Sequence, residues 1–290
     1  MKHRNVERVL SLGEPHFVGD GFRVFTYNPS AAIDMKRMDP FIVIDYHPEY
    51  YYSPTDTPRG VGAHPHRGFE TVTIAQKGKL AHKDSSGGGG IIETGQTQWM
   101  TAGAGVLHSE FHEREFAQEG GSLQMAQIWV NLPAAVKNTA PDYITFNNHD
   151  RTVVLPEQNG YVDVLAGSFM NVEGSAKPYS KIEMYNIYLA KGGKIKLNLP
   201  ANYNTGMIVW NGNIQVNDEA VEKDEFALME NSGDSSFEIS SKDGAAILLL
   251  SGEPLNEPII AHGPFVMNTR DEIVQAYRDY SAGKFGTLDE

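Results

Sequence analysis

Short apolar runs of period two, each closed by glycine, proline or a polar turn, recur along almost the whole chain and restrict its fold more than any other feature. Phe22-Arg23-Val24-Phe25-Thr26-Tyr27 alternates, and Pro40-Phe41-Ile42-Val43-Ile44-Asp45 is a short buried run. Further runs fall at 70–75, then past the Lys77-Gly78-Lys79 turn through His82, and at 97–101, 106–111 and 123–130. Residues 48–58, rich in Tyr and Pro, read as a loop, and Ser85-Ser86-Gly87-Gly88-Gly89-Gly90 as a turn, because four glycines gain nothing from a regular element. The pattern resumes at 162–166, 184–189, 194–199, 207–210, 237–239 and 246–250. Successive strand side chains point to opposite faces, so such runs suit half-buried antiparallel strands. The spacing predicts an all-β chain of two barrels, the second repeating the first.

Boundaries follow from the breaks in this pattern. Residues 1–135 read as a first barrel and 136–150, with Pro141 and Asn147-Asn148-His149-Asp150, as a linker. Residues 151–262 read as a second barrel and 263–290 as a closing segment with one helix. That helix has a capping box in Thr269 and Glu272, and an apolar stripe of Ile273, Ala276, Tyr277 and Tyr280 ending before Gly283. The stripe needs a partner, and the outside of one barrel supplies it.

Composition removes several function classes. The net charge of −13, with no Lys/Arg block, argues against direct binding to nucleic acid. The absence of cysteine removes disulfides, thiolate nucleophiles, Fe–S clusters and Cys-type zinc sites together. No apolar leader follows the first eight residues, and the longest strongly apolar run, 245–250, is too short to span a bilayer. The reading is a cytoplasmic monomer without a membrane anchor. No phosphate loop, dinucleotide fingerprint or serine-nucleophile elbow is present.

Two stretches carry potential chemistry. Ala63-His64-Pro65-His66-Arg67-Gly68-Phe69-Glu70 and Gly103-Ala104-Gly105-Val106-Leu107-His108-Ser109-Glu110 each hold two metal-ligating side chains at i and i+2, on one face of a strand. If the two strands neighbour one another in a barrel, His64, His66, His108 and Glu110 can converge on one ion. Eight of the 10 histidines (His3, His16, His47, His64, His66, His82, His108, His112) lie in the first 112 residues, which favours one site in the first barrel. Glu70 shares parity with His64 and His66, and His112 with His108, so both are alternatives, His112 as a second-sphere group or competing ligand. His3, His16, His47, His82, His149 and His262 read as structural or solvated. Phe69, Trp99, Gln127 and Trp129 are candidates to line an apolar mouth, while Met100 and Met125 read as core. Three neutral imidazoles and a carboxylate suit Fe(II), Mn(II), Cu(II), Ni(II) or Zn(II), and leave positions open on a six-coordinate ion.

His64-x-His66-x-x-x-Glu70 and Gly103-x-Gly105-x-x-His108 resemble the two motifs of the cupin superfamily. More specifically, His64-Pro65-His66-Arg67-Gly68-Phe69-Glu70-Thr71-Val72, Gln98-Trp99-Met100-Thr101-Ala102-Gly103 with His108-Ser109-Glu110, and His262-Gly263-Pro264-Phe265-Val266-Met267-Asn268-Thr269 resemble the signatures of the pirin family. Asp39-Pro40-Phe41 and Gln127-x-Trp129-Val130-Asn131-Leu132 extend the likeness over nearly the whole chain. Glu93-Thr94-Gly95-Gln96 departs from the Pro-Gly-Asp turn usual in cupins. The resemblance implies a bicupin of two double-stranded β-helix (jelly-roll) barrels with a C-terminal helix and iron, Fe(II), in the first barrel only. By position it implies His64, His66, His108 and Glu110 as ligands. It also implies a quercetin 2,3-dioxygenase-type activity, in which a flavonol on the metal is opened by O2 with release of carbon monoxide. Glu110 is then the ligand able to double as the base that takes the substrate's hydroxyl proton. The second reading is a redox-sensing regulatory protein with a protein partner in transcription, its loops at 48–58 and 87–90 responding to the iron.

Overall fold

The computed structural model describes residues 3–231 and 234–288. The chain divides into two compact units. One contains the described residues of Met1–Gly13, Tyr27–Phe41 and Asn148–Pro254, the other those of Glu14–Thr26, Ile42–Asn147 and Leu255–Glu290. The division differs from the one read from the sequence: N-terminal segments belong with the later barrel, and the closing segment belongs with the earlier one. The segment 136–150 is not a plain linker either, since much of it is strand. Met1 and Lys2, part of the stretch read for a leader, lie outside the described residues.

In the unit that carries residues 148–254, β1 (Val6–Leu10) pairs antiparallel with Phe226–Met229 at the edge of a seven-stranded sheet. A four-stranded sheet accompanies it, running through Lys194–Asn198, Ser236–Ser240, Ile214–Val216 and Glu219–Val221. Their interior is one aliphatic and aromatic cluster, including Val164, Ile187, Leu197, Met207, Phe237 and Leu249. Alternation explains it: Ile195 and Leu197 face in, while Lys194, Lys196 and Asn198 face out.

The other unit is built from β2 (His16–Val18), β3 (Phe22–Asn28), β4 (Phe41–Tyr52), β5 (Gly60–His66), β6 (Phe69–Lys77), β7 (Lys79–Asp84), β8 (Gly89–Glu93), β9 (Gln96–Thr101), β10 (Val106–His112), β11 (Gly121–Asn131) and β12 (Asp142–Asn147). One sheet has the order β12-β9-β6-β11-β4-β3-β2 and the other β5-β10-β7-β8. β4 runs on through Tyr52, so the loop expected over 48–58 is confined to its later part. Asp84 Oδ1 accepts from the backbone N–H of Ser86 and Gly88, which closes the glycine-rich turn.

A short α1 (Arg114–Glu119) precedes β11, and α2 (Arg270–Ser281) closes the chain with Thr269 and Glu272 in a reciprocal capping box. α2 buries Ile273 and Ala276 against Phe265, Met267 and Phe285, but Tyr277 and Tyr280 of the expected stripe are partly exposed. Strands Ile260–His262 and Phe265–Met267 form a hairpin whose Phe265 bridges Arg67 and whose Val266 N–H donates to the Arg67 carbonyl. That hairpin bears directly on the site.

Candidate metal centre

β5 and β10 run antiparallel with His108 opposite His64 and Val106 opposite His66. The three imidazoles therefore meet on one face. Ring centroids of His64 and His108 are 4.2 Å apart, of His66 and His108 4.7 Å, and of His64 and His66 4.9 Å. One ligating nitrogen from each lies within 4.8 Å of the others. Just beyond His108 the register slips, so that Glu110 faces Val61 on β5. A bulge of this kind re-aims the side chain that follows it. Glu110 accordingly stands outside the three-histidine group, though it opens on the same cavity.

The nitrogen that each ring holds back explains which one it offers. His64 Nδ1 lies 2.9 Å from the Gly62 carbonyl, His66 Nδ1 3.4 Å from that of Pro264, and His108 Nδ1 3.1 Å from His82 Nε2. If each Nδ1 carries the proton and donates it, the Nε2 lone pair is left to the centre; His108 Nε2 is buried without a hydrogen-bond partner among the described residues. Burial, reinforced by the neighbouring rings, pushes His66 down to about 3 and His108 well below the usual imidazole value; burial also lowers His64. All three are thus neutral at pH 7, the state a divalent cation needs, and a shared ion fits this donor set. Burial raises Glu110 to about 7 against the opposing hydrogen bond from Thr73.

A cavity of about 320 Å³ opens beside the imidazoles, lined by His64, His66, Glu110, Val18, Phe22, Val24, Asp45, Val61, Met125, Gln127 and Trp129. The Thr73 hydroxyl faces Gln127 Oε1 at 2.6 Å and Glu110 Oε1 at 3.3 Å, which turns the Gln127 amide nitrogen away from it. Of the expected mouth residues, Gln127 and Trp129 line the cavity. Phe69 is fully buried and stacks on Trp129 at 4.2 Å, supporting the wall from behind. Trp99 is in the core and does not line it, whereas Met125, read as core, does. Glu70 is turned to Thr101, whose hydroxyl donates to it at 2.9 Å. His112 bonds the Gly21 carbonyl at 2.8 Å among Phe22, Tyr52 and Phe116, away from the cluster. Sequence reasoning missed Asp45, a second carboxyl in the cavity, held by the Thr26 hydroxyl at 2.5 Å and raised by burial. It closes the apolar run 41–44, so in the sequence it reads as the polar end of a strand rather than as a site residue.

Two family models match this chain: Pirin over residues 21–130, and the pirin C-terminal cupin domain over residues 184–286. The chain belongs to the pirin family. A Pseudomonas aeruginosa protein named "Putative quercetin 2,3-dioxygenase" is 42% identical over 274 residues, covering 93% of this chain and 94% of its own. A pirin-like protein of Caulobacter vibrioides is 33% identical over 284 residues, covering 97% and 99%. The crystal structure of a quercetin 2,3-dioxygenase from Acinetobacter baumannii matches with a TM-score of 0.91 at 42% identity, over 99% of this chain and 100% of that one. The pirin fold, two cupin domains and a C-terminal helix, is the architecture described above.

Proposed function

We propose that this pirin is a non-haem iron oxygenase that opens the heterocyclic ring of a flavonol, with His64, His66 and His108 holding the ion and Glu110 supplying the carboxylate of the set. The observation that carries the reading is the convergence of three imidazoles, two of which, His64 and His66, line a cavity whose remaining walls are mostly apolar. The names of its relatives point to the same chemistry. Iron(II) bound there would supply Lewis-acid activation of a substrate hydroxyl and an open position for O2.

The chain's own residues do the rest. Glu110 opens on the cavity beside His64 and His66, where it can accept the proton of a substrate hydroxyl. The Thr73 hydroxyl donates to Gln127 Oε1 at 2.6 Å, the shorter of its two contacts, which leaves the Gln127 amide N–H groups to donate to a substrate oxygen. Trp129, backed by Phe69, offers a flat wall for an aromatic ring, and Phe22, Val24 and Met125 keep water from it.

The test is anaerobic reconstitution with Fe(II), then quercetin and O2, following flavonol absorbance and trapping carbon monoxide. Turnover in the wild type that is lost in Glu110→Gln while iron stays bound supports the reading. Tight iron binding with no turnover of any flavonol would sink it.

A further inference from the structure

We propose that His82 is a positioning residue of the candidate metal centre: its ring holds His108 in the one tautomer and orientation that presents Nε2 to the ion. The inference rests on the metal reading above and assigns a role to a histidine outside the ligand set. His64 and His66 lean on main-chain carbonyls, which the fold supplies whatever the side chains are. His108 leans on a side chain, His82 Nε2 at 3.1 Å, so its orientation depends on what residue stands at that position. β7 and β10 place the two rings as diagonal neighbours, with Asp84 opposite His108 and His82 opposite Glu110.

The chemistry allows only one arrangement. If His108 is to offer Nε2, its proton sits on Nδ1 and is donated to His82 Nε2, which must be unprotonated; the His82 proton is then on its own Nδ1. The His82 ring plane is fixed by a face-to-face stack on Tyr143, with centroids 5.0 Å apart and planes 7° from parallel. A purely structural role accounts poorly for the residue. His82 Nδ1 is buried without a hydrogen-bond partner among the described residues, a desolvation cost that a phenyl ring in the same stack would not carry. What the imidazole adds is an acceptor for His108.

His82→Phe keeps a stacking ring and removes the acceptor, while His82→Gln keeps an acceptor near the same place. Cobalt(II) affinity, measured by chelator competition on the full chain, is expected to fall about 10- to 100-fold in His82→Phe, with a weaker or shifted d–d spectrum. His82→Gln should stay much nearer wild type, and apo-protein thermal unfolding should be unchanged or raised in His82→Phe. Equal affinity in His82→Phe and wild type, or equal loss in both variants, overturns the proposal. A measurement that needs neither metal nor mutation is the long-range ¹H–¹⁵N spectrum of the apo protein: His108 should be the Nδ1–H tautomer, and an Nε2–H tautomer overturns the proposal. A wild-type protein that takes up no cobalt(II) overturns the metal reading itself, which the His82 variants alone cannot do.

Discussion

His47 is sealed in the core with its Nδ1 2.9 Å from the Pro48 carbonyl and its Nε2 2.9 Å from the Tyr52 hydroxyl, a pairing that suits the neutral ring. Burial, aided by His112 and Arg23, lowers it from 6.5 to about 4. The folded state therefore binds fewer protons than the unfolded state between those values. Its contribution is complete above pH 6.5 and is lost as pH falls towards 4, a total of about 3 kcal/mol. Urea unfolding of His47→Gln and wild type from pH 7 to 4 should show the shallower pH slope in the variant; parallel slopes would contradict the assignment. Gly68 poses a different constraint: its φ is +91° and an added Cβ would meet the Val266 carbonyl oxygen at 2.0 Å. Gly68→Ala should destabilise the protein by more than about 2 kcal/mol and loosen the neighbouring His66. At this scale the sequence showed which rings share a face, since parity alone places His64 with His66. It could not show which nitrogen His66 and His108 hold back, because Pro264 and His82 are distant in sequence and contribute only through the fold.

The third pirin signature gains its physical role at the level of elements. The hairpin around Phe265 bridges Arg67, its Pro264 carbonyl faces His66, and Lys137, fully buried, donates to the Gly68 and Val266 carbonyls and to Asn131 Oδ1. One ammonium thus ties the start of β6, the end of β11 and the hairpin behind a proposed ligand. Lys137→Met leaves three buried acceptors without that donor and should cost about 3 kcal/mol or more in denaturant unfolding. Cobalt(II) affinity should fall with it, because the support of His66 loosens. A variant as stable as wild type would show that these acceptors find other partners. The strand at 142–147 is hidden inside the segment 136–150 that reads as linker for a physical reason: β12 is an edge strand on β9, mostly exposed, so its alternation is weak. The slip beyond His108 was equally hidden, because strict period two assumes a strand without a bulge.

On the scale of the whole molecule, two units share one chain but the proposed ligands all fall in one of them. Alternation announced two barrels, yet it says nothing about which sheet a strand joins, so the placement of 3–13 and 27–41 with the later barrel was not readable. This partition makes the effect of metal on local stability predictable. Bound ion stabilises only states that keep the three imidazoles assembled, by about 2.7 kcal/mol at a hundredfold excess over Kd. Openings confined to residues 148–254 leave the imidazoles in place, so their amides gain no protection from the ion. Openings that separate β5 from β10 release it, and those amides gain the full amount. Hydrogen exchange with and without cobalt(II) should therefore show slowed exchange in β5, β10 and the Phe265–Met267 strand, with Ile182–Leu189 and Ala245–Gly252 unaffected wherever they exchange by local opening. His108→Ala should erase the difference. A gain spread evenly over both units would mean that they open only together, and a gain that survives His108→Ala would place the ion elsewhere.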